Sequence, residues 1–543
     1  MATYGIDLGT TYSCVAYVDD TGRPAIAKNA VGQETTPSVV YFETPDNVVV
    51  GQDAKGSAKL FPDQVVSLIK RQMGQSFELD FHGTAHTPES ISALVLKELA
   101  RAAGEHTHEE VRDVVITVPA YFGVAEREAT RNAGEIAGLN VLNLIPEPVA
   151  AALHYEALSS EESSTILVYD LGGGTFDTTV IRLEGDDVRV VCTDGDHRLG
   201  GADWDERIAD HLLEGFLAEN PGSSAAESED FLQELALAAE DLKKGLSSAQ
   251  SRRYNMRFDG GTAKVELTRE TFETLTEDLL GRTFEITRRT LDAAAEQGVA
   301  AFDDVLLVGG SVRMPAVAEG LRERFGFAPK LHDPDLAVAK GAARFALIEA
   351  VKVRLPGEGA DGSVPVTGAE ADRAVEQAAD QLGLDTAKVR KLAGQRVTTV
   401  VPRAFGVMTI DFAPDGAEVY AVSHVLRANT ALPAAPDAER FVTAFDDQTG
   451  IKVEIWEQAG AAESADPADN AKIGEGVIED LPRLRKGSPI DIGFAMDELG
   501  LLTVRAVELQ TQRELRIEVR IQGLSEAQVA EAKTAVKRYT LSE

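Results

Sequence analysis

Two stretches of this chain repeat one scheme, and the repetition limits the possible folds more than any other feature. Gly5-Ile-Asp-Leu-Gly-Thr-Thr11 returns about 160 residues later as Val168-Tyr-Asp-Leu-Gly-Gly-Gly-Thr-Phe-Asp177. In both, an Asp closes an apolar strand, glycines make the turn and Thr follows. Glycine lets the backbone approach closely, so successive N–H groups can surround phosphate oxygens. Thr hydroxyls add donors, and Asp can hold hydrated Mg²⁺ through its water ligands. One copy would read as an ordinary hairpin turn. Two copies in equivalent places indicate a duplicated domain with phosphates clamped between its halves. A third loop, Leu307-Val-Gly-Gly-Ser-Val-Arg-Met-Pro315, follows the apolar strand 305–308. Its glycines allow close approach to a nucleoside, and Arg313 suits stacking on a purine. The three loops in series predict a nucleotide cleft.

The rest of the chain sorts by period. Short apolar runs at 4–8, 13–17, 25–28 and 38–42 read as a strand meander. From Pro88 helices (88–103, 124–137, 149–158) alternate with strands (114–118, 166–171), as in an α/β domain running to about 350. Residues 356–363 are turn-rich and read as flexible, and 369–382 and 386–392 read as two short helices. Eight strand candidates follow, at 399–401, 407–412, 418–422, 440–445, 451–458, 490–495, 502–507 and 515–521. They predict a separate all-β module. Ser525-Glu-Ala-Gln528 is a capping box that opens one last helix, ending near Tyr539.

Composition excludes several functions. At 543 residues, two or more domains are expected. A formal charge of −36 repels phosphate backbones and anionic lipid, which argues against nucleic-acid or membrane partners. Cys14 and Cys192 make neither a disulfide framework nor a metal site, and the nine histidines form no H-E-x-x-H pattern. With no signal-like N-terminus and no membrane-length apolar run, a cytoplasmic location is expected.

In this order the three loops resemble those of the actin, hexokinase and heat-shock ATPase superfamily. Within it the chain resembles the seventy-kilodalton heat-shock chaperones, the DnaK-like proteins, through residues 5–11, 116–122, 145–152, 170–177, 199–205 and 308–315. The resemblance covers residues 1 to about 350 and implies hydrolysis of ATP by water, catalysed mainly by positioning and charge stabilisation. It implies that Lys70 contacts the γ-phosphate and attacking water, that Glu147 orients that water, and that Asp7 and Asp170 surround Mg²⁺. Thr10, Thr11 and Thr175 would contact phosphate, with Gly9, Tyr12, Gly172, Gly173, Gly174, Gly200 and Gly201 shaping the loops. Asp177 would be a further ion-site acid. Glu240, Lys243, Lys244 and Ser247 would grip adenosine, completed by Gly309, Gly310, Ser311, Arg313 and Asp335. Pro119 and Arg127 match the pair that relays nucleotide state to the peptide-binding module. The implied cofactors are ATP or ADP with Mg²⁺, and K⁺ is a further candidate. Without the resemblance, Lys70 reads as a surface ion-pair residue and Lys243-Lys244 as a solvated helix face.

Residues 399–407, 440–453 and 499–506 resemble parts of the family's β-sandwich and place Ile410, Ala444 and Ile451 around its hydrophobic peptide pocket. All three also read as sandwich core, Ile451 with nearly equal weight. The predicted architecture is therefore an α/β, actin-like, duplicated two-lobe ATPase domain (1–350) and a linker with a helical insertion (351–398). A small β-sandwich (399–523) and a C-terminal helix without a lid (524–543) complete it. Expected partners are extended or unfolded hydrophobic polypeptides, a J-domain co-chaperone and a nucleotide-exchange factor. The chain departs from the family's pattern in four ways. The leucine-rich linker is not recognisable, residues 351–398 take its place, the segment 70–114 is short, and the lid is missing, which predicts fast peptide release. Competing readings are a binding module for one dedicated partner, a small-molecule kinase and a filament-forming relative of actin. The charge of −36 disfavours the last.

Overall fold

Strands β1 (Tyr4–Asp7), β2 (Tyr12–Val18) and β3 (Pro24–Ala27) form the antiparallel meander that opens lobe I. The structure, a computed structural model, describes residues 3–19, 21–156, 163–331, 333–355, 369–460, 462–498, 500–519 and 524–542. The turn-rich run 356–363 and the ends of the predicted elements at 158 and 520–521 lie outside the described residues. Strand β4 (Asn47–Val50) belongs to a small side sheet. Next come α1 (Pro88–Thr107), β5 (Asp113–Val118), α2 (Val124–Ala137), β6 (Asn140–Pro146) and α3 (Glu147–Glu156). Helix α1 starts at a capping box, in which Thr87 accepts from Ser90 N–H while Ser90 accepts from Thr87 N–H. It runs four residues beyond the expected 103, to a left-handed His108.

Lobe II repeats the plan with β7 (Ser163–Leu171), β8 (Phe176–Glu184), β9 (Asp187–Asp196), β10 (Asp304–Val308) and β11 (Lys330–Leu331). Strand order is β6-β5-β1-β2-β3 in lobe I and β11-β10-β7-β8-β9 in lobe II. In each, the first strand pairs antiparallel with the next and parallel with a later one. Both meanders are thus the same unit, used twice. Central β7 is covered on both faces, which explains its unbroken apolar run: Ile166, Leu167, Val168 and Tyr169 are fully buried. Lobe II also carries α4 (Gly201–Glu219) and α5 (Glu229–Leu246), and α6 (Ala337–Lys352) closes the domain. Helices α3 and α6 cross between the lobes on small residues. A Cβ on Gly341 would collide with the carbonyl of Ala150, so only glycine permits this approach.

Two helices, α7 (Ala369–Leu382) and α8 (Thr386–Gly394), precede β12 (Arg396–Thr398). The expected strand at 399–401 is displaced. The paired residues are 396–398, which add β12 parallel to the edge of β9, while Val400 makes only an isolated bridge to Ala431. The sandwich follows: β13 (Phe405–Phe412), β14 (Glu418–Leu426), β15 (Glu439–Val442), β16 (Ile451–Gln458), β17 (Asn470–Ile478), β18 (Pro489–Met496), β19 (Leu502–Glu508) and β20 (Arg513–Val519). Its sheets, ordered β14-β13-β16-β17 and β15-β18-β19-β20, enclose Phe405, Ile455, Phe494, Leu502 and Val504. Strand β17 was not among the sequence candidates.

Helix α9 (Glu526–Arg538) begins at the expected capping box, and β21 (Thr540–Ser542) then pairs parallel with β4 of lobe I. Val536 and Tyr539 are buried in the lobe I core, and Lys97 Nζ donates to the carbonyls of Val536 and Tyr539. The C-terminal segment is therefore a structural part of lobe I.

Candidate functional site

The interlobe cleft encloses about 1010 Å³ and is lined by all three glycine loops. Asp7, Gly9, Thr10, Thr11 and Tyr12 come from the β1–β2 turn, and Asp170, Gly172, Gly173 and Thr175 from the β7–β8 turn. Gly309, Gly310, Ser311, Arg313 and Asp335 come from the third loop and its neighbour. The first two loops touch across the lobes: a Cβ on Gly173 would strike Thr11, and one on Gly174 would strike Thr10. The third is tied to the second by Ser311 Oγ, which donates to Gly172 O at 2.8 Å. Gly174, Asp177, Gly200 and Gly201 are not in the lining and form the wall behind it. Gly201 N donates to Gly172 O at 2.9 Å, and Asp177 Oδ1 accepts from Tyr121 N–H at 3.1 Å.

Charge is concentrated at the cleft's base. Lys70 Nζ meets Glu147 Oε1 at 2.7 Å, and Lys70 is 4% exposed. Asp170 and Asp177 are buried nearby and Asp7 is half-buried, so one ammonium faces four carboxylates. Burial, and then the Glu147 charge, pushes Asp7 and Asp177 up to about 7. Asp170 is raised by the same two causes, with Asp177 and Asp7 adding to them. Such crowding of anions is relieved by a bound cation. Among the described residues no three His, Cys, Asp or Glu side chains converge as a direct metal cage. The donor set therefore fits Mg²⁺ held through its own waters and by phosphate oxygens.

Elsewhere along the cleft, four side chains bridge the lobes. Tyr12 hydroxyl donates to Glu240 Oε1 at 3.0 Å, and Lys55 Nζ donates to Tyr12 Oη at 3.0 Å. Lys55 also pairs with Glu240, and Lys244 reaches Glu240 at 2.6 Å and Tyr12 at 2.9 Å. Burial opposes the charge on Glu240, but the two ammonium groups outweigh it and hold Glu240 at about 2. Lys243 turns inward to Gly201 O (2.6 Å) and Asp205 (2.7 Å), while Ser247 lines the cleft beyond it. Arg313 is ion-paired with Asp335. Lys55 and Arg71, which pairs across the lobes with Asp203 (3.1 and 2.5 Å), stand outside the glycine-loop motifs of the sequence. Their partners lie 185 and 132 residues away, and nothing local marks them.

The wall behind Asp177 leads into the sandwich. Pro119 is buried at a turn closed by Phe122 N–H, and Arg127 Nε donates to Phe122 O at 3.0 Å. Across the domain boundary, Arg403 lies 4.8 Å above the Tyr121 ring and reaches Glu126 at 3.2 Å and Glu457 at 4.0 Å. Burial raises Glu457 to about 7, against the pull of Arg403. Val124 N–H donates to Glu457 at 3.4 Å, and Thr193 N–H to Asn429 at 2.9 Å. In the sandwich, Ile410 and Ala444 are half-buried, whereas Ile451 is 6% exposed and packs into the core. Exposed Tyr420 pairs across from Ile410 with exposed Val419 beside it, exposed Val442 and Phe445 flank Ala444 in sequence, and Phe445 meets Phe412 edge-on at 5.7 Å.

A duplicated two-lobe domain with three glycine loops around an anion-rich cleft defines a nucleotide-binding protein of the actin-like fold. The family model for the Hsp70 protein matches residues 3–82, 76–354 and 387–542, and the chain belongs to the Hsp70 family. Members of that family are nucleotide-binding chaperones that use ATP and Mg²⁺ and bind unfolded polypeptides with co-chaperones. Among the described residues no helix is long and apolar enough to cross a membrane.

Proposed function

We propose that this chain hydrolyses ATP slowly in the interlobe cleft and binds extended hydrophobic polypeptide on the sandwich, with nucleotide state setting peptide affinity. The observation that carries the reading is a path of interactions: the paired Lys70 and Glu147 act on Asp177 through space, Asp177 accepts from Tyr121 N–H, and Tyr121 lies against Arg403, which reaches Glu457 of the sandwich.

In this reading Lys70 Nζ neutralises charge developing on the γ-phosphoryl oxygens, and Glu147 orients the attacking water. The new bond forms between water oxygen and the γ-phosphorus, the β–γ bridging P–O bond breaks, and ADP and phosphate leave, with the water's proton released to solvent. The carboxyls of Asp7 and Asp170 would hold the waters of Mg²⁺, which would supply charge neutralisation at the phosphates. Backbone N–H groups of the two touching loops, with Thr10, Thr11 and Thr175, fix the phosphates in line. Tyr12, Lys55, Glu240 and Lys244 close over the nucleoside. The peptide lies along the exposed apolar residues near Ile410 and Ala444, paired through its backbone. Ile451 supports that surface from the core. A J-domain protein and an exchange factor are proposed partners by family membership.

Lys70→Ala should lose phosphate release by at least 100-fold while retaining ATP affinity within a few-fold, read by phosphate production and nucleotide titration. Unchanged hydrolysis would remove Lys70 from the mechanism. A pull-down dominated by one protein, with no binding of short apolar peptides, would instead support a dedicated partner. That reading draws on residues 355–386, which the family model leaves unmatched.

A further inference from the structure

Helix α7 and the first residue of α8 fall between the family-model matches, which stop at 354 and resume at 387. Yet the two helices are not a loose excursion. Val375, Ala378, Ala379, Val389, Leu392 and Ala393 are buried. They join one core cluster with Phe345, Ile348 and Val351 of α6 and Ile181, Leu183 and Val188 of lobe II. Val18 and Leu142, from lobe I, pack against the same cluster.

The polar contacts fall on the two lobes in matching places. Lys388 Nζ donates to the carbonyls of Gly22 (2.8 Å) and Thr21 (3.3 Å), in the β2–β3 turn of lobe I. At the other end, Arg396 N–H donates to Asp186 O at 3.1 Å, in the β8–β9 turn of lobe II. These turns occupy equivalent positions in the duplicated sheets. Gln395 adds a bond to Glu156 of α3 at 3.3 Å. The hairpin therefore spans both halves of the ATPase domain and delivers the chain directly into β12, whose three residues pair with β9.

We propose that the α7–α8 hairpin is an intramolecular brace that keeps β12 paired to β9 in every nucleotide state. Releasing β12 would mean pulling on a hairpin whose apolar face is already sealed into a core shared by both lobes. The sandwich stays docked, and the nucleotide acts on it by rotating one lobe against the other beneath the Arg403–Tyr121–Glu457 contact. This goes beyond the proposed function and does not depend on peptide binding or hydrolysis, because its readout is backbone exchange.

The test is hydrogen–deuterium exchange of residues 395–401 in the full chain, without nucleotide, with Mg-ADP and with Mg-ATP. Two altered forms run beside it: Lys388→Ala, and a chain with 369–394 replaced by a glycine–serine linker. In the unaltered chain, protection should agree within about twofold across all three states. In Lys388→Ala, and more so in the linker form, protection in Mg-ADP should fall at least tenfold below that in Mg-ATP. Loss of protection in the unaltered chain with Mg-ADP would overturn the proposal. So would altered forms that bind ATP and keep full protection throughout. Should the linker form not fold, Lys388→Ala alone decides.

Discussion

His86 offers a sharp test of how the C-terminal segment is held. Its side chain is 1% exposed, with Nε2 2.9 Å from the Tyr539 hydroxyl and Nδ1 3.4 Å from Ser90 Oγ. The Phe42 ring lies 4.7 Å away. Burial pushes the imidazole down from 6.5 to about 4, with Asp80 opposing weakly. The folded state thus keeps His86 neutral where the opened state would protonate it. Because the opened form binds more protons between those values, stability is complete above about pH 6.5 and falls as pH drops toward 4. Each pH unit in that window costs about 1.4 kcal/mol. Between pH 7 and pH 5 the opening that strips α9 and β21 from lobe I should therefore become easier by up to about 2 kcal/mol. That corresponds to roughly 30-fold faster exchange of amides 536–542 once the intrinsic pH dependence is removed. His86→Gln keeps a polar group beside Tyr539 but cannot titrate. It should lower protection at pH 7 and abolish the added pH dependence. An unchanged pH slope in the variant would refute the argument.

Three further outcomes follow from the geometry. Lys55→Ala removes one of two ammonium groups from the partly buried Glu240, costing the closed cleft about 1–2 kcal/mol. ADP release measured by stopped flow should then be roughly 5- to 30-fold faster. Gly174→Ala places a methyl against Thr10, so ATP affinity by calorimetry should fall at least tenfold while far-UV dichroism stays native. Arg403→Ala leaves Glu126 and Glu457 without their shared cation at a buried boundary. Such breakage costs about 3–5 kcal/mol, read as increased exchange across 121–127 and 455–460.

What the sequence revealed divides along physical lines. The duplicated lobes were legible because each glycine loop sits at a strand end and is chemically complete within ten residues. The pairings between distant segments were not. The sequence places 396–398 in the linker and the next strand at 399–401, because the partner of 396–398, β9, lies far back in the chain and nothing local marks the pairing. Strand β17 escaped because Gly474 and Gly476 interrupt it and its outer positions face water, leaving no apolar alternation. Strand β21 is three residues long and gains its stability from Tyr539 beside it, not from its own composition. At the site, Lys70 and Glu147 were identified through family resemblance, whereas Lys55, Arg71 and Arg403 acquire meaning only when the lobes and sandwich meet. Ile451 shows the opposite limit: its alignment leaves pocket and core both open, and in the structure it packs into the core.

The most direct test of the central claim is the affinity of a short extended apolar peptide, by fluorescence anisotropy, for the full chain with Mg-ATP and with Mg-ADP. Lys70→Ala run alongside holds the ATP state. The account predicts at least fivefold weaker binding with Mg-ATP, persisting in Lys70→Ala and relaxing in the unaltered chain as ATP is consumed. Equal affinity in both states would contradict it and leave the sandwich a passive adaptor.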